Sequence, residues 1–170
     1  GLAARGDYEP YETRVLSALL RQGDVVLDIG ANIGYYTLLF ARRVGPAGRV
    51  IAFEPDPANF SILKRNVEIN NYHNVNLHNA AVADRGGKTR LYISEHFRSD
   101  HRTYDSGDNR AFLEVDSRRL DEFVPVAGLK PDLIKIDIQG FEHRALLGMR
   151  NIISHSSNVL LATEFSPVCL

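Results

Sequence analysis

Residues 25–36, VVLDIGANIGYY, constrain the fold more than any other part of the chain. Val25, Val26 and Leu27 form an apolar run expected of a buried strand. Asp28, Gly30, Asn32 and Gly34 follow, and a helical pattern then begins. Ile33, Tyr36, Phe40, Ala41 and Val44 recur at three- and four-residue spacing, which predicts a helix over 34–44. A strand, a glycine-bearing turn and a helix N-terminus in this order build a nucleotide pocket at the carboxyl edge of a parallel sheet. Glycines at 30 and 34 let backbone approach a ligand or a neighbouring strand. Asn32 tolerates the left-handed bend. Asp28, where strand meets pocket, suits polar or cationic ligand groups.

The rest of the chain repeats the alternation. A short amphipathic helix precedes the motif, with Val15, Leu16, Leu19 and Leu20 on one face and Gly23 as its expected C-cap; residues 1–23 read as a helix and lid over the pocket. Residues 50–53 form a second apolar strand ending at Glu54, with Pro55 stopping it and Pro57 opening the next helix. Glu54 stands 20 residues beyond Gly34, at the strand tip where such folds bind a ribose diol. Residues 75–79 predict a third strand. After it, Asn79 offers hydrogen bonds to an adenine edge, and Ala80 and Ala81 leave room for the ring. Residues 89–94 and 112–115 predict strands enclosing the polar run 95–110, a strand-loop-strand insertion over about 82–116 at the pocket mouth. A short helix is expected over 117–124. Residues 132–137, DLIKID, form the fourth buried strand, ending at Asp137. One helix is expected from Glu142 to Ile153, and a fifth strand over 159–162.

This alternation predicts an α/β, Rossmann-like, doubly wound and mostly parallel sheet, with Asp28, Glu54 and Asp137 converging on one edge. With 170 residues, 44% apolar and 24% charged, one domain over 1–170 is expected. A net charge of −1 gives no footprint for nucleic acid, and no apolar run approaches the roughly 20 residues of a membrane span. The single Cys169 forms no internal disulfide and fits a reducing, cytoplasmic setting.

The loop departs from the dinucleotide fingerprint G-x-G-x-x-G, because Asn32 and Tyr35 occupy its second and third glycine positions. Asp28-x-Gly30-x-Asn32-x-Gly34 instead resembles the acidic, glycine-rich loop of S-adenosylmethionine-dependent methyltransferases, with Asn in place of the middle glycine. VLDIGANIGYYTL, VIAFEPDP and DLIKIDIQGFEHRALLGM together resemble the FkbM-type methyltransferases of the class I fold, over about residues 24–164. The resemblance implies S-adenosylmethionine as cofactor and methyl transfer to an oxygen of a small molecule or glycan. It implies cofactor contacts at Gly30, Asn32 and Gly34, ribose binding by Glu54 and a pocket-edge role for Asp137. Asp28 and Asn79 complete the expected cofactor set. The fold usually continues with two further strands, so a truncated C-terminus is expected.

A neutral alcohol acceptor benefits from a general base. The candidates are His101 with Asp100 and Asp105 in the insertion, and Asp137. A solvated loop histidine is the plainer reading of His101. Asp137, Glu142 and Glu164 offer oxygens but no diagnostic metal spacing, so no metal is assigned; the remaining histidines show no paired ligand spacing. Two other readings stand beside methyl transfer. One is a nicotinamide-dependent oxidoreductase, disfavoured by the loop and by the absence of a Tyr-x-x-x-Lys pair. The other is a non-catalytic nucleotide-fold module for protein association, and self-association into a homo-oligomer stays open with it.

Overall fold

The computed structural model describes residues 8–93, 111–123 and 127–163. Five parallel strands form the central sheet: β1 (Val25–Ile29), β2 (Arg49–Phe53), β3 (Val75–His78), β7 (Leu133–Ile136) and β8 (Leu160–Thr163), in the order β3-β2-β1-β7-β8. The chain winds outward from β1 first to one side and then to the other. The strand order therefore reverses at β1, the switch point where open α/β sheets bind ligands. Strands buried on both faces are near-continuously apolar, as Leu133 to Ile136 of β7 are apart from Lys135.

Each face of the sheet has its own helices. Val26, Val50 and Leu133 pack against α1 (Pro10–Leu19) and α2 (Tyr35–Val44), through Leu16, Tyr36, Phe40 and Val44. On the same face Ala52 meets Leu63 and Val67 of α3 (Pro57–Ile69). Leu27, Ile29, Ile51, Phe53, Ile134 and Ile136 point the other way. They meet Ala145 of α4 (Glu142–Gly148) and Ile152 of α5 (Arg150–Ser154). The helix boundaries follow the sequence signals. Gly45, at φ 66°, closes α2 with its N–H on Ala41 O, and Asp56 caps α3 by accepting from Ala58 N at 2.7 Å, with Pro57 in the first turn.

A second sheet holds β4 (Ala81–Val82), β5 (Gly87–Tyr92) and β6 (Phe112–Arg118) in the order β4-β6-β5. β5 and β6 pair antiparallel, from Gly87 opposite Ser117 to Tyr92 opposite Phe112. The expected strand-loop-strand insertion is thus a hairpin, rooted at β4.

Three local expectations are corrected. Gly23 does not cap α1, which ends at Leu19; at φ 93° it turns the chain into β1, and its N–H donates to Val44 O. The helix expected over 117–124 is a single 3-10 turn, Leu120–Glu122, because Ser117 and Arg118 are held in β6 by pairing with β4 and β5. The helix expected from Glu142 to Ile153 is two helices. Gly148 packs so close to β4 that a Cβ there would lie 2.0 Å from Ala83 O, and the carboxylate of Asp121 caps a fresh N-terminus at Asn151 N (3.0 Å) and Ile152 N (3.0 Å). The amphipathic spacing runs through the break, so the pattern alone does not reveal it.

Candidate functional site

A cleft opens over the tips of β1, β2 and β7, walled by Gly30, Asn32, Glu54, Asn59, Ala81 and Asp137 among others. Two left-handed residues shape its floor. Gly30, at φ 82°, lets the β1 loop pass against β7, where a Cβ would stand 2.0 Å from the Asp137 carbonyl oxygen. Asn32, at φ 52°, turns its N–H onto Glu54 Oε2 at 2.8 Å.

Glu54 is the best-anchored polar group here. It is 5% exposed, and its Oε1 accepts from Asp56 N at 2.9 Å while Oε2 accepts from Asn32 N. Burial pushes its carboxyl up to about 7, against the pull of those two backbone donors. Two donors leave a carboxylate with further lone pairs, and no cation pairs with it in a salt bridge among the described residues. The group is therefore a fixed acceptor facing the cleft. Asn79 supports this tip from behind: its Nδ2 donates to the carbonyls of Glu54 (2.8 Å) and Pro55 (3.0 Å). The cleft wall beside this tip is apolar, made by Ala80 and Ala81 with Val82 and Leu91.

Asp137 stands at the tip of β7, 32% exposed at its side chain. Oδ2 accepts from Lys135 Nζ at 3.1 Å and Oδ1 from Gln139 Nε2 at 3.2 Å. The next carboxylate, Glu142, closes the turn beyond by accepting from Gly140 N at 3.0 Å and Ile138 N at 3.3 Å.

Asp28 and Gly34 lie outside the cleft. Asp28 is wholly buried on the α2 face, accepting from Thr37 Oγ1 at 2.5 Å. Burial raises its carboxyl, partly offset by the charge of Lys135 and the Thr37 hydrogen bond. Gly34 starts α2 at φ 96° and packs against Leu63, whose Cδ1 a Cβ would meet at 2.6 Å. The glycine serves helix packing. Asp100, His101 and Asp105 fall outside the described residues. No cluster of three or more possible metal ligands occurs among the described residues. His78 is held between Phe53, at 4.9 Å, and Phe123, at 5.1 Å, as an aromatic filler; burial, then Arg118, lowers its imidazole below the ordinary value.

Sequence reasoning passed over Lys135, whose side chain is 9% exposed and whose ammonium sits 4.7 Å from the centre of the Tyr36 ring. A lysine inside the apolar run DLIKID was its signal. It also passed over Asn59, which carries no pattern beyond its place in α3.

The comparisons with known proteins agree with the fold. Over 145 residues the chain is 31% identical to "Methyltransferase 1" of Beauveria bassiana, covering 73% of this chain and 57% of that protein. Over 74 residues it is 43% identical to "31-O-demethyl-FK506 methyltransferase FkbM" of Streptomyces tacrolimicus, covering 42% of this chain and 27% of the relative. The crystal structure of Methyltransferase FkbM from Methylobacillus flagellatus superposes with a TM-score of 0.58 at 25% identity, over 86% of this chain and 34% of that one. The chain thus spans between about a quarter and somewhat over half the length of these relatives. The family model described as "Methyltransferase FkbM domain" matches residues 28–167, and the chain belongs to the FkbM methyltransferase family.

Proposed function

We propose that residues 1–170 act as one domain that binds S-adenosylmethionine in the β1-β2-β7 cleft and methylates a hydroxyl of a small molecule or glycan. The single observation that carries this is Glu54: a buried carboxylate, fixed by two backbone N–H groups and facing a cleft beside an apolar wall. That acceptor and wall fit a nucleoside, with vicinal hydroxyls donating to Glu54 and a flat ring lying against Ala80, Ala81 and Val82. Gly30 and Asn32 shape the floor, and Asp137 closes the far end.

The cofactor supplies a methyl group already activated on a sulfonium, with a neutral thioether as leaving group. The chain's own work is to orient and to accept a proton. Alignment of oriented reactants supplies on the order of 7–11 kcal/mol in favourable cases. Asp137, fixed by Lys135 and Gln139, is the acid–base group that takes the hydroxyl proton. Asp100 and His101 are proposed as further contributors to that proton transfer.

Isothermal titration with S-adenosylmethionine and with NADH tests the reading. Binding of S-adenosylmethionine alone is expected. Binding of NADH alone would favour the oxidoreductase, and binding of neither would favour an association module.

A further inference from the structure

A second cleft opens on the other side of Asp137. Its walls carry Glu9 at the N-cap of α1, Glu12 of α1, Tyr36 of α2, Lys135 of β7 with Asp137 at its tip, and Thr163 of β8. Asp137 lines both clefts. The strand order explains why. Glu54 at β2 and Asp137 at β7 are separated by β1, two strand spacings or about 10 Å. β8 is the next strand beyond β7, so the second cleft begins where the first one ends.

This cleft is built rather than incidental. Tyr36 Oη donates to Glu9 Oε2 at 2.7 Å, and Thr13 Oγ1 lies 3.2 Å from Tyr35 Oη, so α1 is tied to the start of α2. Tyr8 packs edge-on against Tyr35 at 5.3 Å and Tyr36 at 6.5 Å. The Arg43 guanidinium donates to Ser17 farther along the helix. These ties hold the carboxylate-bearing turn of α1 over β7 and β8. Lys135 and Asp137 form the floor as an ion pair, and Tyr11, 75% exposed, stands at the rim with Val15 and Leu161.

We propose that this second cleft is the acceptor subsite and takes a polyhydroxylated, sugar-like ring. The assignment presumes, as above, that the first cleft holds the cofactor. Three carboxylates accept from hydroxyls, the Lys135 ammonium donates to them, and the tyrosine and aliphatic rim suits the C–H face of a pyranose. An apolar acceptor would strip water from three carboxylates and return no hydrogen bonds. A cationic amine would match the charge, but the acidic walls hold it protonated, with no lone pair for the methyl group. Oxygen is the nucleophile that this cleft serves.

The test uses the whole chain saturated with S-adenosylhomocysteine and two kinds of probe: methyl glycosides of glucose, galactose and mannose, and cyclohexanol. In the ¹⁵N-labelled protein, a glycoside is expected to shift the amides of Glu12, Leu161 and Thr163, and cyclohexanol is expected to leave them in place. The Glu9→Gln/Glu12→Gln variant is expected to weaken the glycoside at least fivefold with the S-adenosylhomocysteine affinity unchanged. Leu161→Trp, which fills the opposite wall, is expected to do the same. No shift with any glycoside, shifts confined to other residues, or equal response to cyclohexanol would overturn the assignment. The wild-type titration decides the matter even where a variant fails to fold. Failure of S-adenosylhomocysteine to bind wild type would instead strike the cofactor reading, and the glycoside titration repeated without it still reads the second cleft.

Discussion

Glu54 and Asp137 are both carboxylates at the tips of parallel strands that flank β1, yet they are held in opposite ways. Glu54 is buried and gripped by backbone N–H groups of Asn32 and Asp56. Asp137 is a third exposed and gripped by side chains, Lys135 and Gln139. Backbone donors cannot rotate away, so the β2 tip offers one fixed acceptor geometry. Side-chain donors can be exchanged for those of a ligand, so the β7 tip suits a place where charge and protons move. On the proposed function, the same sheet edge divides into a recognising end and a reacting end.

The joint between the two ends is Gly30, and breaking it carries the largest expected effect. Its N–H donates to Phe53 O on β2, and its missing side chain makes room for the Asp137 carbonyl on β7. Gly30→Ala adds a Cβ 2.0 Å from that oxygen at φ 82°. A loss of about 3 kcal/mol or more in urea unfolding is expected, together with loss of cofactor binding. A loss below about 1 kcal/mol would show that the two tips are not rigidly joined. Next in size is Glu54→Ala. Removing a charged acceptor of ligand hydroxyls is expected to weaken S-adenosylhomocysteine by about 1.5–3 kcal/mol, read by calorimetry. An unchanged dissociation constant would place the ribose elsewhere.

The asymmetry of the two tips also marks what could be read from residues alone. The strand-turn-helix of 25–44, the acid at the end of β2 and the acid at the end of β7 were legible, because apolar runs ending in a carboxylate or glycine betray buried parallel strands. The direction each side chain takes was not. Asp28 stands next to the pocket in sequence but points into the α2 face, since neighbours along a strand alternate sides and its register partner is Lys135. Asn79 was expected at the ligand, and its side-chain amide holds the turn after Glu54. Lys135 reaches the Tyr36 ring across the packing of β7 on α2, which no local pattern records. The split of α4 from α5 depends on Asp121, some 30 residues away in the chain.

The protonation of Glu54 sharpens the comparison at the next lower scale. Its carboxyl is raised from 4.5 to about 7 in the folded chain. Its protonated form is therefore the one that folding favours. The stability this contributes is full below pH about 4.5 and is lost as pH rises through about 7, a change on the order of 3 kcal/mol for the ligand-free protein. Ligand hydroxyls need the ionised form as acceptor. The affinity for S-adenosylhomocysteine is thus expected to rise about tenfold between pH 6 and pH 8. Glu54→Gln should flatten that profile. A wild-type profile that is already flat would mean that Glu54 is not the group gripping the ligand.

The smallest effect is expected at the reacting end, from Lys135→Met. The methionine keeps most of the side-chain volume over the Tyr36 ring and removes the ammonium from between Asp28 and Asp137. Asp28 is wholly buried, and Lys135 is the largest influence holding its carboxyl down against burial. Without that charge Asp28 takes up a proton and keeps its Thr37 partner, while the partly exposed Asp137 turns to water. Both adjustments limit the damage, so a stability loss of about 1 kcal/mol is expected, well below the cost of an ion left buried and bare. The affinity for S-adenosylhomocysteine should change by less than about threefold, because the backbone-held Glu54 is untouched. A loss of binding as large as that of Glu54→Ala would mean that the two tips act as one recognition site, and that the division of labour along this sheet edge does not hold.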